Sequence, residues 1–246
     1  MARVESYRLS KGARPSLLVP DNALFPLDPD WPIAFDSLQR PPLAVHWSGQ
    51  KQCLPYLSAQ KAVAVVGTRR PSDHGYRMAH ALGQCLARAG WPVVSGLAEG
   101  IDAASHHGCL AAGGFPIGVL GTPLDRVYPS EHEALQAQVE SAGLLLSEWP
   151  RGARVQRSNF ALRNRLLVSV SCALVVVECP ETSGSLLSAQ IAHTQDCPVW
   201  VVPGDALRWS SKGSNGLLQE GATPLLTPES LIASLGPGPL ASASTA

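Results

Sequence analysis

The stretch VAVVGTRRPSDHG, residues 63–75, decides how this sequence is read. Val63 to Val66 is an apolar run with no polar position, as a strand covered on both faces requires. It ends in one glycine, Gly67, and a helical pattern begins about eight residues later. Strand, glycine turn and helix open a dinucleotide-binding unit, yet the second and third glycines of GxGxxG are missing. Arg69 and Arg70 occupy the turn instead. One glycine allows the tight turn, and an arginine fork binds a phosphate bidentately. A full dinucleotide needs closer backbone approach than one glycine permits. A discrete phosphate, in a nucleic-acid backbone or a mononucleotide, fits the turn better.

Outward from this stretch, apolar strand patterns at 62–66, 92–95, 116–120, 144–147, 173–177, 198–202 and 224–226 alternate with helical ones. The helical patterns fall near 75–89, 101–112, 131–142, 159–170, 184–195 and 214–220. This alternation predicts an α/β fold, a mostly parallel sheet with helices on both faces. Ser130 and Glu133 have capping-box spacing, and Thr227-Pro228 opens a last helix running to about Leu235. Residues 1–60 hold eight prolines from Pro15 to Pro55 and read as a short irregular N-terminal extension against the main domain, 61–235. The tail, 236–246, has nothing to bury and is expected to be disordered.

The 246 residues carry 19 cations and 19 acids, so net charge alone suggests no nucleic-acid sponge. The distribution is uneven. Arg151, Arg154, Arg157, Arg163 and Arg165 fall close together, and no acid lies between Glu148 and Glu178. Such a stretch is either a solvated charged face or the seat of a local anionic ligand. No apolar run approaches a membrane span and no signal peptide opens the chain, so a cytoplasmic protein with no membrane partner is expected. The six cysteines form no CxxC pair and read as buried, reduced thiols.

In parallel α/β sheets ligands bind beyond the carboxyl ends of the strands. The residues there are Gly67-Thr68-Arg69, the turn Ser95–Asp102 with Gly96 and Gly100, Gly121–Pro129, Glu178–Leu186 with Ser183, Gly184 and Ser185, and Pro203–Asp205. Small residues at each exit leave backbone N–H groups free for an anion. Asp102 either caps the following helix or meets a ligand. There is no P-loop, no GxSxG elbow and no HExxH, so neither catalytic residues nor a metal or cofactor is assigned.

Eight ordered motifs then form a pattern: VVGTRRPSDHG, VVSGLAEGIDAASHHGCLAAGG, GVLGTPLDRVYPSEHEAL, LLLSEWPRG, SNFALRNRLL, SGSLLSAQIA, VPGD and GSNGLLQEGATPL. Over about residues 25–235 the chain resembles the DprA/Smf family of bacterial DNA-processing proteins. The resemblance implies an extended Rossmann-like domain, homodimeric, that binds single-stranded DNA without being an enzyme. It implies roles in natural transformation: protecting incoming DNA and helping to load the RecA recombinase. By the same resemblance Arg69 of the Gly67-Thr68-Arg69 turn contacts phosphate, Arg157 is the basic residue ahead of Phe160, and Phe160 stacks on a base. Arg163, Asn164 and Arg165 form the RNR element, and Asn215 ends GSN near the pocket.

Arginines for phosphates beside an aromatic platform are the physical recipe for sequence-tolerant single-strand binding. Neutralising three to five phosphates would give a slope of log K on log salt of about −2 to −3.5. Phe160 also suits the core at a helix start. Arg163 and Arg165, two apart, cannot share a helix face, which leaves one of them for Glu148 or Glu178. Thr68 stands where the family favours serine, His132 where it has asparagine, and Ala161 where it has proline. The winged-helix and helical modules of many relatives are not seen in this sequence, so their functions are not carried over. The competing readings are a phosphoribohydrolase-like enzyme on the related fold, whose loop here lacks the catalytic glutamate, and a nucleotide sensor.

Overall fold

The Val-Ala-Val-Val run at 63–66 forms a strand buried along its whole length. Its side chains alternate between two separate cores, with Val63 and Val65 in one and Ala64 and Val66 in the other. That is the burial a central parallel strand demands. The structure, a computed structural model, describes residues 22–241. The remaining parts of the expected N-terminal extension and tail, 1–21 and 242–246, lie outside the described residues.

One nine-stranded sheet organises the described residues: β1 (Ala23–Leu24), β2 (Val45–Gly49), β3 (Val63–Val66), β4 (Val93–Ser95), β5 (Pro116–Leu120), β6 (Leu144–Ser147), β7 (Ala173–Val176), β8 (Val199–Val201) and β9 (Thr223–Pro224). The order is β1-β2-β6-β5-β4-β3-β7-β8-β9. Strands from β3 onward are mutually parallel, whereas β2 runs antiparallel to β6 and β1 antiparallel to β2. The extended Rossmann-like class therefore holds. The irregular reading of the proline-rich segment needs correction, because residues 45–49 form a strand inside the sheet, paired with β1 on one side and with β6 on the other in register His46↔Ser147 to Gly49↔Leu144.

The helices among the described residues are α1 (Leu54–Ser58), α2 (Asp73–Arg88), α3 (Ile101–Ala111), α4 (Glu133–Ala142), α5 (Arg157–Ser169), α6 (Gly184–Thr194), α7 (Lys212–Gln219) and α8 (Pro228–Leu235). Leu82, Leu86, Ile101 and Leu231, from α2, α3 and α8, cover the Val63–Val65 face. Leu54, Leu57, Leu166, Leu167, Ala189 and Ala192, from α1, α5 and α6, cover the other.

A cap decides one of these boundaries and a 3-10 turn another. The Thr227 side chain accepts from the Ser230 N–H at 3.3 Å, with Pro228 in the first turn, as the sequence suggests. The Ser130–Glu133 capping box does not form. Residues 130–132 make a 3-10 turn, so α4 starts three residues later, and the Ser130 hydroxyl donates to Glu131 instead.

At the C-terminus, residues 236–241 depart from the disorder expected of them. The Gly238 N–H donates to Ala89 O at 2.7 Å and the Leu240 N–H to Gly90 O at 3.1 Å. Glycine permits this approach, since a Cβ on Gly238 would lie 2.3 Å from the Gly90 backbone.

The chain runs from β3 outward through β4, β5 and β6, and then returns through α5 to β7 on the other side of β3. The order of strands reverses between β3 and β7, and the carboxyl ends of this pair open the crevice where ligands of such sheets sit.

Candidate nucleic-acid interface

The β3 exit is shaped by contact rather than by freedom to bind. A Cβ at Gly67 would meet Ile101 Cγ1 at 2.4 Å and Glu178 O at 2.9 Å. Glycine is needed so that the turn can pass between α3 and the β7 exit. The Thr68 N–H then donates to Glu178 O at 2.7 Å, and Thr68 Oγ1 accepts from the Arg70 N–H at 3.2 Å. These bonds fix a turn from which Arg69 and Arg70 project exposed.

Beside this turn lies a cleft of about 420 Å³. Gly67, Thr68 and Arg69 form one wall, and Arg157, Phe160, Arg163 and Asn164 of α5 another. Ser183, Gly184 and Ser185 at the start of α6 close it. Ser183 caps that helix, accepting from the Ser185 N–H at 3.1 Å, and Asn164 Nδ2 donates to Gly184 O at 3.2 Å. The arrangement thus brings together residues spread over more than a hundred positions of sequence.

The cations of the arginine stretch divide sharply. Arg157, at the first position of α5, is exposed at the cleft. Arg163 is buried, at 7% exposure. Its Nη1 donates to Val119 O and its Nε to Asn164 Oδ1 at 3.2 Å. Arg165 faces away from the cleft, and its Nη2 donates to both Glu148 carboxylate oxygens, at 2.8 and 2.7 Å. The two-residue spacing does separate their faces, and the acid partner is Glu148 for Arg165. Arg165 does not line the cleft.

Asp102 supplies the counter-charge for Arg163. Its Oδ2 accepts from the Gly96 N–H at 3.1 Å and the Ala98 N–H at 3.4 Å. Burial holds the Asp102 carboxyl above its ordinary range, opposed by the Arg163 charge and by these N–H groups. Burial lowers the guanidinium in turn, and Asp102 opposes that. Gly96 presses on the pair: an added Cβ would lie 2.0 Å from Arg163 Nη1. Gly100 has φ +75°, and a Cβ there would meet Thr68 O at 2.4 Å. Both glycines support the cleft floor rather than line its wall.

Phe160 is half-buried, its ring edge against Gly121 and its face inclined to Tyr128, with centroids 4.8 Å apart. Tyr128, 46% exposed, extends the aromatic surface and was not among the residues singled out above. Its signal was the tyrosine of RVYPSE, at the β5 exit. Asn215 stands apart from the cleft. Its amide clamps Gly204, accepting from the N–H at 3.0 Å and donating to the carbonyl at 3.1 Å. His132, at the family's asparagine position, bonds to the Leu97 carbonyl through Nδ1 at 2.9 Å.

Glu178, offered by the sequence as a partner for one of the two arginines, is buried and bonded to serines instead. Its carboxylate accepts from the Ser72 hydroxyl at 2.6 Å, from the Ser72 N–H and from the Ser210 hydroxyl. Ser72 also caps α2, accepting from the Gly75 N–H at 3.0 Å. One carboxylate therefore ties the β3 exit to the loop after β8. Among the described residues no group of three or more His, Cys, Asp or Glu is placed to hold a metal ion.

Comparison with known proteins adds an independent line. The structure is similar to DNA processing protein A of Streptococcus pneumoniae, with TM-score 0.80 and 31% identity, covering 93% of this chain and 77% of that one. It is also similar to DNA processing protein A of Helicobacter pylori, a structure described for its single-stranded DNA binding mode, with TM-score 0.75 and 31% identity over 83% of this chain and 92% of that one. In sequence it is 38% identical to Protein Smf of Synechocystis over 226 residues, 92% of this chain and 55% of that protein. It is 33% identical to DNA processing protein DprA of Bacillus subtilis over 83% of this chain and 68% of that protein. The chain spans about half to two thirds of the length of these two relatives. The family model for DNA recombination-mediator protein A matches residues 22–236, and the chain belongs to that family, the DprA/Smf proteins.

Proposed function

We propose that this protein binds single-stranded DNA across the cleft at the β3–β7 exit, as a non-enzymatic recombination mediator. The observation that carries this reading is the pairing of exposed Arg69 and Arg157 with half-buried Phe160 in one cleft, with the exposed Tyr128 ring packed beside that phenylalanine. The arginines meet phosphates, the aromatic surface takes a base, and the start of α6 offers the Gly184 N–H, its neighbours being engaged within the turn. Asp102, the acid lining the cleft, is engaged by Gly96, Ala98 and Arg163. It is thus not free to act as the general base that a nucleotide-cleaving enzyme needs. As in the wider reading of the family, the DNA-bound protein would act as a homodimer, protect incoming DNA in transformation and help load RecA. No helix among the described residues is long and apolar enough to cross a membrane.

The test is fluorescence anisotropy of labelled oligothymidine across a salt series. With Arg163 and Arg165 engaged internally, the exposed Arg69, Arg70 and Arg157 remain for phosphates. The slope of log K on log salt is then about −2.1, at the shallow end of what the arginine count implies. Arg69→Ala should weaken binding and flatten the slope by about 0.7. Absence of oligothymidine binding at low salt, by folded protein, would refute the reading. Sedimentation and RecA capture on the protein–DNA complex test the two partners.

A further inference from the structure

Beyond the cleft, the same edge of the sheet carries a loop with an unusual surface. Between β8 and α7 the chain reads PGDALRWSSK, residues 203–212. Leu207 is 92% exposed and Trp209 64% exposed. Exposed tryptophan on a floppy loop would say little, but this loop is held at several points. The Asn215 amide clamps Gly204 through two hydrogen bonds. Ser211 lies so close to Gly204 that an added Cβ would meet its Oγ at 2.4 Å. The Ser210 hydroxyl donates to buried Glu178. Folding therefore fixes the residues on either side of Trp209 and leaves its indole in solvent.

Charge around the indole favours an anion. Arg208 and Lys212 are exposed on either side of it. Asp205 is the acid of the loop, and its Oδ1 is turned back to accept from the Leu207 N–H at 2.9 Å. The loop leaves β8, two strand positions from β3 across β7, with about 10 Å between those strand axes. Phe160 and Tyr128 stand on the opposite side of Arg69, at the β5 exit.

We infer that Trp209 is a second base-stacking platform, which extends the single-stranded DNA path from the cleft along the crest to the β8–α7 loop. Arg208 and Lys212 meet the phosphates flanking the stacked base. The inference rests on the proposed cleft function, and it assigns Asn215 and Glu178 a positioning role: they hold the loop that carries the platform.

The experiment compares oligothymidines of about 6 and about 16 nucleotides, lengths that span the range of single-strand sites. Wild type, Trp209→Ala, Trp209→Phe and Arg69→Ala are measured by anisotropy, with circular dichroism to confirm folding. Trp209→Ala should weaken the longer oligonucleotide about 5- to 150-fold and leave the shorter nearly unchanged. Trp209→Phe, which keeps a π-face, should retain most of the affinity. If Trp209→Ala binds the longer oligonucleotide like wild type while Arg69→Ala weakens both, the second platform is refuted and the cleft stands. If Trp209→Ala changes only the sedimentation of the protein, the loop is a protein contact and the inference is overturned. Wild type that binds neither oligonucleotide takes both readings down together.

Discussion

Arg69 and Arg163 line one cleft but do opposite work. Arg69 is exposed, and its removal takes a charge out of solvent. Arg163 is buried, donates to Val119 O and answers the charge of buried Asp102, so its removal leaves that carboxylate without its counter-charge inside the protein. Truncating one partner of a buried pair costs about 3–5 kcal/mol, whereas an exposed substitution usually stays within about 0.5 kcal/mol. Urea unfolding of Arg163→Ala should show the larger loss, and Arg69→Ala should unfold like wild type while binding DNA more weakly. Equal stability of the two variants would contradict the burial argument.

His106 gives a second residue-scale prediction. It is fully buried, its Nε2–H donates to Ile117 O at 3.2 Å, and Nδ1 has no partner. Burial pushes its pKa from 6.5 down to about 4, since protonating Nδ1 would bury an unanswered charge. The stability this contributes is complete above the unfolded pKa of about 6.5 and is lost as pH falls toward 4. The loss is about 3 kcal/mol. Urea midpoints between pH 7 and 4 should fall accordingly in wild type and much less in His106→Gln.

At the scale of elements, Ser72 matters because it serves two partners. It caps α2 and donates to Glu178, which itself lies against the first turn of that helix. Ser72→Ala should cost about 1–3 kcal/mol, more than an ordinary cap, since the buried carboxylate also loses a donor. Thermal denaturation reads this directly, with Thr227→Ala as the simpler cap for comparison.

The elements also show what a sequence can disclose. β3 to β8 were legible because continuous apolar runs between amphipathic helices have few other uses. β2 was hidden because His46, Trp47 and Ser48 lack the apolar continuity of a central strand, and prolines dominate the flanks. The Ser130–Glu133 spacing suggested a box, yet a 3-10 turn uses the same residues differently. At the candidate site, the strand exits and the arginine turn were readable, because topology forces loops at one edge to meet. The acid partner was narrowed to Glu148 or Glu178, but which arginine takes it was not readable, since two-residue spacing separates faces without saying which faces the acid. Asn215 read as a pocket residue, and Tyr128 did not, because both facts depend on loop packing rather than pattern.

At the scale of the whole molecule, the antiparallel pairing of β2 with β6 has a consequence for how the protein is made. His46 and Ser147 are partners, about a hundred residues apart along the chain. At roughly 5–20 residues per second of synthesis, the segment holding Val45 and Trp47 waits about 5–20 seconds before its partner strand exists. Long-range pairing of this kind also closes late in refolding, since the loop entropy comes before the contacts. Pulse-labelling hydrogen exchange should find β2 amides protected after those of β3 and β4, whose register needs only the α2 crossover. For the duration of that wait, the apolar side chains of β2 have only the two residues of β1 to pair with, and the nascent chain is most exposed to wrong partners just when its own end is still unwritten.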